Sequence, residues 1–412
     1  MKHLLKIISS LTVLSTSVLA VSCTNKSEQN NKDQLPNNKD NTENKDKKEE
    51  KDKPQADQPK EEPKIQISEE EKQEVIDALQ KVFKEQEDAF GSFHTHQEVL
   101  DQLKVYLNDN KIKHLDHLKL TNENEKNTNL KVDTEHKKLN NISLSFSDRK
   151  IIFTPNTVLK DKVEAKYNSN NNELIQIGYA LQSFLNNIKL TTVNKNTIKV
   201  PVHLPLKINS LDESFNNLQS TSVSNLDKWD TKNVKFLTKT FENAANFNQN
   251  LNSWNVSSVI DMSEAFAGAS KFNQNLNSWD VSKVKTMKGM FWDAESFNGD
   301  ISKWKTKSLE DMEVMFSGAK KFNQDLSNWY VSKLESLKGT FSGAELFNSN
   351  ISNWDTSRVA SMEQTFENAK SFKQNLSNWN VKKVTHAEKF VKGIESNMPN
   401  ENLPKFEPST SK

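Results

Sequence analysis

The sequence predicts an α/β solenoid in which every repeat of 25 residues contributes one short helix and one short strand. Three observations lead to this fold class. Seven tryptophans recur at an unbroken spacing of 25 residues: Trp229, Trp254, Trp279, Trp304, Trp329, Trp354 and Trp379. Apolar residues follow each tryptophan at helical spacing, and a glycine, asparagine or aspartate always stands fourteen residues after it. Such a unit cannot bury its apolar face alone and is stable only when its neighbours stack on it.

The predicted helix of each repeat begins about five residues after the tryptophan, with positions counted from that residue. Position 5 holds Val or Leu, and in six repeats position 8 holds Leu or Met and position 12 holds Phe. Steps of three and four place these side chains on one helix face. Candidate N-caps are Ser257, Ser282, Ser332 and Ser357. Position 14 would end the helix, because its residue types tolerate a left-handed backbone: Asn243, Gly268, Asp293, Gly318, Gly343, Asn368 and Gly393.

The predicted strand fills the stretch before the next tryptophan. In six repeats Phe stands at position 18 and Leu or Ile at position 22, and five of these repeats carry Asn at position 19. A helix–strand unit of this length lies within the range of leucine-rich repeats. Strands stack about 4.8 Å apart and helices about 8–10 Å apart, so the solenoid should curve with its strands on the concave side.

The array is expected to cover residues 205–396, with degenerate units at both ends. The unit before Trp229 carries one inserted residue, and after Trp379 the methionine and phenylalanine positions become Ala387 and Val391. Terminal units of a solenoid must differ, because each has an exposed end to cap. Residues 397–412 are predicted to be a disordered tail.

The first residues indicate export and anchoring. A basic start is followed by an uncharged, apolar or small stretch over residues 7–21, and then by Cys23, the single cysteine of the chain. A stretch this short is typical of a signal peptide, not of a membrane-spanning helix. The segment resembles a bacterial lipobox, with Ala20 where leucine is usual. The resemblance implies a signal peptide over residues 1–22, a diacylglycerol and an added N-acyl chain on Cys23, and attachment to the extracellular face of the cell membrane.

Residues 23–67 are predicted to be a disordered, charged linker, because they offer almost nothing to bury. Residues 68–190 are predicted to form a small α+β region. Two capping boxes, Ser68 with Glu71 and Thr95 with Glu98, begin two helices of a hairpin. Alternating stretches at 114–120, 142–146 and 150–154 are typical of strands, and residues 174–185 are a candidate third helix.

Composition excludes several function classes. The net charge of +1 favours neither nucleic acid nor anionic lipid. With nine glycines the chain has no phosphate-binding loop, and no catalytic motif stands in a recognisable context. The histidine pairs His94 with His96 and His114 with His117 lie on different predicted elements, so no metal site is predicted. We therefore expect no enzyme, no cofactor beyond the lipid, and no nucleic-acid partner.

The tryptophan and phenylalanine series share the register of the aliphatic positions and are predicted to be core. Trp292 lies outside this register and is a candidate partner contact, although single exposed aromatic residues are common. Position 21 supplies a second candidate set, which solvation alone would also explain: Asn250, Asn275, Asp300, Asp325, Asn350 and Asn375.

The repeat FNQNLNSWDVSKVKTMKGMF, at residues 272–291, resembles the repeat of mycoplasma surface lipoproteins, which are regarded as relatives of BspA-type leucine-rich repeats. The resemblance implies a surface-exposed lipoprotein with a role in adhesion to host matrix or cell surfaces, or as a surface antigen. It implies no catalytic residues. Two alternatives stay open: an exported enzyme or transporter-associated solute-binding lipoprotein that acts through residues 68–190, and a passive coat protein.

Overall fold

The protein is described here by a computed structural model that covers residues 66–109 and 111–407. The predicted signal peptide, Cys23 and the linker up to residue 65 lie outside the described residues, as do residues 408–412. Within the described chain, a small α+β region leads directly into the repeat array.

The α+β region begins with the two predicted helices, α1 at Glu69–Gln86 and α2 at His96–Asp109. Both capping boxes are present. Ser68 Oγ accepts from the backbone N–H of Glu71 at 3.2 Å, and the Glu71 carboxylate accepts from Ser68 N–H at 3.0 Å. Thr95 and Glu98 repeat this exchange at 3.3 and 2.9 Å. The helices bury their apolar faces, including Leu79 and Leu103, in one core with the strands that follow.

The strands are short and belong to four small sheets. They are β1 Phe90–Gly91, β2 Leu118–Leu120, β3 Ile142–Phe146, β4 Arg149–Phe153, β5 Val158–Leu159, β6 Lys162–Val163, β7 Lys166–Tyr167, β8 Leu174–Gln176, β9 Tyr179–Gln182 and β10 Asn187–Leu190. The sheet orders are β2-β3-β4 and β10-β9-β6, both antiparallel, with the pairs β1-β5, parallel, and β7-β8, antiparallel.

The candidate third helix at residues 174–185 is wrong, because this segment forms β8 and β9. Gly178 lies between the two strands. A β-carbon on Gly178 would lie 2.6 Å from the backbone nitrogen of Ala165. The chain passes so close to its neighbour here that only glycine fits, which is a frequent role of glycine beside strands.

The predicted helix–strand solenoid is also wrong. In the described chain the only α-helices are α1 and α2, and the array consists of successive turns. Each repeat forms one coil of the array, and neighbouring coils join through single parallel bridges at position 7. The bridges are Ser210 to Phe236, Phe236 to Asp261, Asp261 to Thr286, Thr286 to Asp311, Ser336 to Ser361, and Ser361 to His386. Lys189 of β10 bridges Ser210 in the same way, so β10 supplies the first rung of this ladder.

Hydrogen bonds between coils replace the helical ones. The N–H of Leu237 donates to Asp261 O at 2.9 Å, that of Phe241 to Ala265 O at 2.8 Å, and alternate residues repeat this pattern. The residues between them donate within the coil to the carbonyl three residues back, as Thr240 does to Leu237 at 3.2 Å. A helix bonds every residue to the fourth before it, so this alternation is incompatible with one.

Two left-handed positions in each coil explain why no helix forms. Position 14 has positive φ in every coil, as the residue types indicate, but it closes a turn and not a helix. Position 10 is left-handed as well, and its residues carry almost no signal: Lys239, Glu264, Gly289, Val314, Gly339, Gln364 and Lys389. Side chains spaced by three and four residues face one side in this chain of turns, so the spacing alone did not distinguish it from a helix.

Gly343 allows the left-handed backbone to be tested. Its φ is +68°, and a β-carbon would meet nothing closer than Gly318 N at 3.6 Å, so only backbone strain opposes a side chain. We expect Gly343→Ala to lower the free energy of unfolding by about 1–2 kcal/mol, and Gly343→Asn by less than about 1 kcal/mol. Urea unfolding of both variants measures this. Equal cost for Ala and Asn would contradict the backbone argument.

The tryptophan series is buried, as predicted, with no ring more than 4% exposed. Each indole Nε1 except one donates to a carbonyl of the preceding coil or lead-in; Trp254, for example, donates to Leu226 O at 2.9 Å and Trp279 to Leu251 O at 3.0 Å. Trp329 is the exception, since its Nε1 has no partner in the described chain. The constant spacing thus positions both a ring and a hydrogen-bond donor.

The phenylalanines at positions 12 and 18 form two stacked files. Neighbouring rings lie 5.2–5.8 Å apart in the first file and 5.7–6.2 Å apart in the second. Within a coil the two rings approach to 3.7–4.3 Å. The predicted core role of the aromatic residues is confirmed.

A single apolar core runs through the array from Val163 to Met398. It includes Ile188 and Leu190 of β10, so the last strands of the α+β region share the core of the array. Residues 397–407 belong to the segment assigned to a disordered tail. In the structure they cover the last coil: Asn402 O accepts from Leu376 N–H at 2.8 Å, and Phe406 packs edge-on against Phe390 at 5.2 Å.

Candidate functional site

The candidate contacts at position 21 form a file along the array. Five of them are exposed, and Asp300 is half-buried: the file is Asn250, Asn275, Asp300, Asp325, Asn350 and Asn375. In each, Oδ1 accepts from the backbone N–H two residues later, at 2.8–3.1 Å. This is the Asx turn, in which a short polar side chain shapes its own backbone. These residues therefore hold turns in addition to facing solvent.

The asparagines at position 19 form a ladder beside this file. The backbone N–H of Asn273 donates to Asn248 Oδ1 at 2.9 Å, and the next three coils repeat the bond at 2.8–2.9 Å. Gln274 Nε2 adds a bond to Asn248 Oδ1 at 2.8 Å. Because the Oδ1 atoms of these amides are paired with the next coil, the asparagines stabilise the stacking of the coils.

Trp292 is 45% exposed, in keeping with its place outside the register. A β-carbon on Gly289 would lie 3.8 Å from both Trp292 Cβ and Val314 Cγ2, and one on Gly339 would lie 2.9 Å from Val314 Cγ1. Trp292 and Val314 are thus close together and partly exposed, and this surface is called the Trp292 patch below; Gly289 and Gly339, which pack against Val314, are both buried. Val314 has φ +49°, a costly conformation for a β-branched residue.

The rim of the Trp292 patch is charged, and its charged residues form ion pairs with one another. Lys288 Nζ lies 3.0 Å from a Glu313 carboxylate oxygen, and Lys338 Nζ lies 2.7 Å from one of Glu363. The patch is thus a half-exposed indole with an aliphatic neighbour, surrounded by polar groups, and it is a candidate contact surface.

A second candidate site was not foreseen from the sequence. A cleft of about 510 Å³ lies where the α+β region meets the first coils. Its apolar lining is Phe93, Leu181, Ile188 and Leu206, and its polar lining is Asn186, Lys207, Asn209, Lys232, Asn233, Lys235 and Ser258. These residues are far apart in the sequence, so no local motif could have indicated them.

The charge of the cleft is positive, since three lysines and no carboxylate line it. Lys207 is paired with Glu98, and Lys232 Nζ lies 2.7 Å from Asp230 Oδ2. In the part of the chain that the structure describes, Lys235 has no ion pair. Lys235 is thus the ammonium group most available to an anionic ligand.

The floor of the cleft is held by a buried histidine. Phe93 stacks on His94 at 4.7 Å, and the burial of His94 lowers its pKa to about 4. His94 Nδ1 lies 3.1 Å from Gly91 N and 3.2 Å from Gly91 O, and its Nε2 lies 3.1 Å from Tyr179 Oη. Tyr179 in turn donates to Ala89 O at 2.8 Å. This neutral, fully paired histidine fixes the ring of Phe93 in place.

Neither the histidines nor the helices form a metal or membrane feature among residues 66–109 and 111–407. No group of three or more His, Cys, Asp or Glu side chains there could hold a metal ion. The rings of His114 and His117 lie 6.2 Å apart, and His96 Nδ1 lies 3.6 Å from a Glu125 carboxylate oxygen. Over the same residues, no helix has the length and apolar character that crossing a membrane requires.

The repeat array is similar to one known protein family. Residues 209–329 and 298–406 match a family model. The match is to DUF285, a Mycoplasma protein family of unknown function. The DUF285 match covers the coils from the first bridge to the last cap and supports the predicted mycoplasma-type repeat array. It leaves the α+β region unmatched. No curated protein and no solved structure matches this chain.

Proposed function

We propose that this protein is a lipid-anchored surface protein of the cell membrane whose repeat array binds a macromolecule on host cells or matrix. Cys23 would carry the lipid, and no catalytic activity is included in the proposal. The DUF285 match supports a mycoplasma-type repeat protein, and adhesion is the more specific step that we propose.

The Trp292 patch is the observation that carries the binding role. All seven periodic tryptophans are buried, whereas Trp292 is 45% exposed and lies close to the partly exposed Val314. Exposed tryptophan is among the residue types that contribute most to binding at interfaces. A passive coat would not need an exposed tryptophan at this position.

Trp292→Ser tests the proposal in the whole chain. Serine occupies the same position in two later coils, at Ser317 and Ser342, so the variant should fold. We expect saturable binding of the fluorescently labelled protein to cultured epithelial cells, and a Kd raised at least about ten-fold by Trp292→Ser. Flow cytometry over a range of protein concentrations measures both.

Tyr330→Ser is the matched control, because Tyr330 is an array aromatic that is 60% exposed but lies outside the patch. Its Kd should change less than about two-fold. Absence of saturable binding would favour the coat protein. Equal losses in both variants would remove the patch from the proposal. Substitution is a sharper test than deletion of residues 205–396, because deletion would expose the core residues of β10.

A further inference from the structure

The cleft beside Phe93 carries an inference that goes beyond adhesion through the array. Its walls are tied together by three hydrogen bonds. Ile188 N–H donates to Asn209 Oδ1 at 2.9 Å, Lys235 N–H to Asn209 O at 2.8 Å, and Asn233 Nδ2 to Leu206 O at 3.0 Å. The cleft is therefore preformed by paired backbone and amide groups, as ligand sites usually are.

Its polar groups are of mixed type. Ile188 occupies Oδ1 of Asn209, and Leu206 occupies Nδ2 of Asn233. Among the described residues, this leaves Nδ2 of Asn209 as a free donor and Oδ1 of Asn233 as a free acceptor. Ser258 adds a hydroxyl. Separate donors and acceptors suit the hydroxyl groups of a sugar, each of which both donates and accepts. A simple oxoanion would use donors alone.

One charge and one flat apolar surface complete the arrangement. Lys235 has no carboxylate partner in the described chain, so it can pair with an acid group of a ligand. Phe93 is held by His94 at 4.7 Å and by Tyr179, edge-on, at 5.8 Å, and lines the cleft. An aromatic ring in such a position packs against the C–H face of a pyranose.

We propose that this cleft binds an acidic sugar, with the carboxylate on Lys235 and the pyranose ring over Phe93. The volume of about 510 Å³ accommodates one or two sugar units and lies within the usual range of ligand sites. The ligand class follows from the combination of one unpaired ammonium, separate amide donors and acceptors, and an immobilised aromatic ring.

The test is a ligand-observed NMR titration of the full chain with glucuronate, glucose and inorganic phosphate. We expect one saturable site for glucuronate and binding of glucose weaker by at least about ten-fold, because the charge-assisted bond to Lys235 is lost. Lys235→Gln should weaken glucuronate binding by about the same factor and leave glucose unchanged. Phe93→Leu should weaken both sugars.

Lys285→Gln is the matched control. Lys285 stands at the same repeat position two coils later, is exposed like Lys235, and lies outside the cleft. It should leave every affinity unchanged. No saturable binding of glucuronate, or equal effects of the two lysine variants, would overturn the proposal. Phosphate binding as tight as glucuronate and insensitive to Phe93→Leu would overturn it too, since it would show an anion site without sugar recognition. None of these results depends on the Trp292 patch.

Discussion

Replacing Trp279 with alanine should lower the free energy of unfolding by about 3–5 kcal/mol, the range for truncating a buried tryptophan. The ring is 3% exposed, contacts the aromatic files, and donates from Nε1 to Leu251 O at 3.0 Å. The substitution therefore leaves a cavity and an unpaired carbonyl. Each coil is stabilised mainly by its neighbours, so the loss should weaken the adjacent coils as well. Urea unfolding followed by far-ultraviolet circular dichroism measures the change.

Trp292→Ala is the control for this prediction, because Trp292 lies thirteen residues after Trp279 but on the surface. Its effect on the free energy of unfolding should stay within about 0.5 kcal/mol. Similar losses for both variants would mean that the two tryptophans are equally buried, contrary to the structure.

Acid should destabilise the protein through His94. Burial lowers the pKa of His94 from 6.5 to about 4, partly opposed by the contact of Nδ1 with Gly91 O, which a protonated ring would strengthen. Between these values the unfolded chain takes up a proton that the folded chain does not. The stabilisation is therefore complete above pH 6.5 and is lost as pH falls towards about 4. A shift of this size corresponds to about 3 kcal/mol.

The measurement is the free energy of unfolding at pH 7 and pH 5 for the natural chain and for His94→Gln. The variant should be less stable at pH 7, because it loses the bonds to Gly91 and Tyr179, but it should lose less on acidification. His96 is unchanged in both proteins, so its contribution cancels. His117, which is half-exposed and directly precedes β2, provides a control. The free energy of unfolding of His117→Gln should keep its full pH dependence. Parallel pH profiles for the natural chain and His94→Gln would refute this role.

The repeat and its core were predictable because every coil buries the same kinds of side chain at the same positions. The tryptophans, the phenylalanines at positions 12 and 18, and the left-handed residues at position 14 all stand where the sequence pattern places them. Trp292 was recognisable as a surface residue by its departure from that pattern. The capping boxes of Ser68 and Thr95 were readable for a different reason, since a cap depends on residues within one turn.

The prediction of a helix in each repeat is wrong because the backbone is also left-handed at position 10, where the residue types give no sign of it. Residues such as Lys239, Glu264 and Val314 at position 10 have no intrinsic preference for positive φ, and hydrogen bonds to the next coil hold them there. Those bonds join residues 24 apart in sequence and form only when coils stack. The candidate helix at residues 174–185 failed similarly, since partner strands decided its conformation.

The sequence by itself determined the repeat length, the inward residues, the helical hairpin and the one off-register tryptophan, because local preference and periodicity encode these features. The tertiary structure alone decided that the coils are turns joined by a parallel ladder, that β10 begins this ladder, and that Phe93, Asn209 and Lys235 meet in one cleft. The physical reason is the range of the interactions. Backbone hydrogen bonds between coils do not depend on side-chain type, so they leave no pattern in the sequence. Phe93 lies more than a hundred residues from Asn209 and Lys235, so no local motif links them.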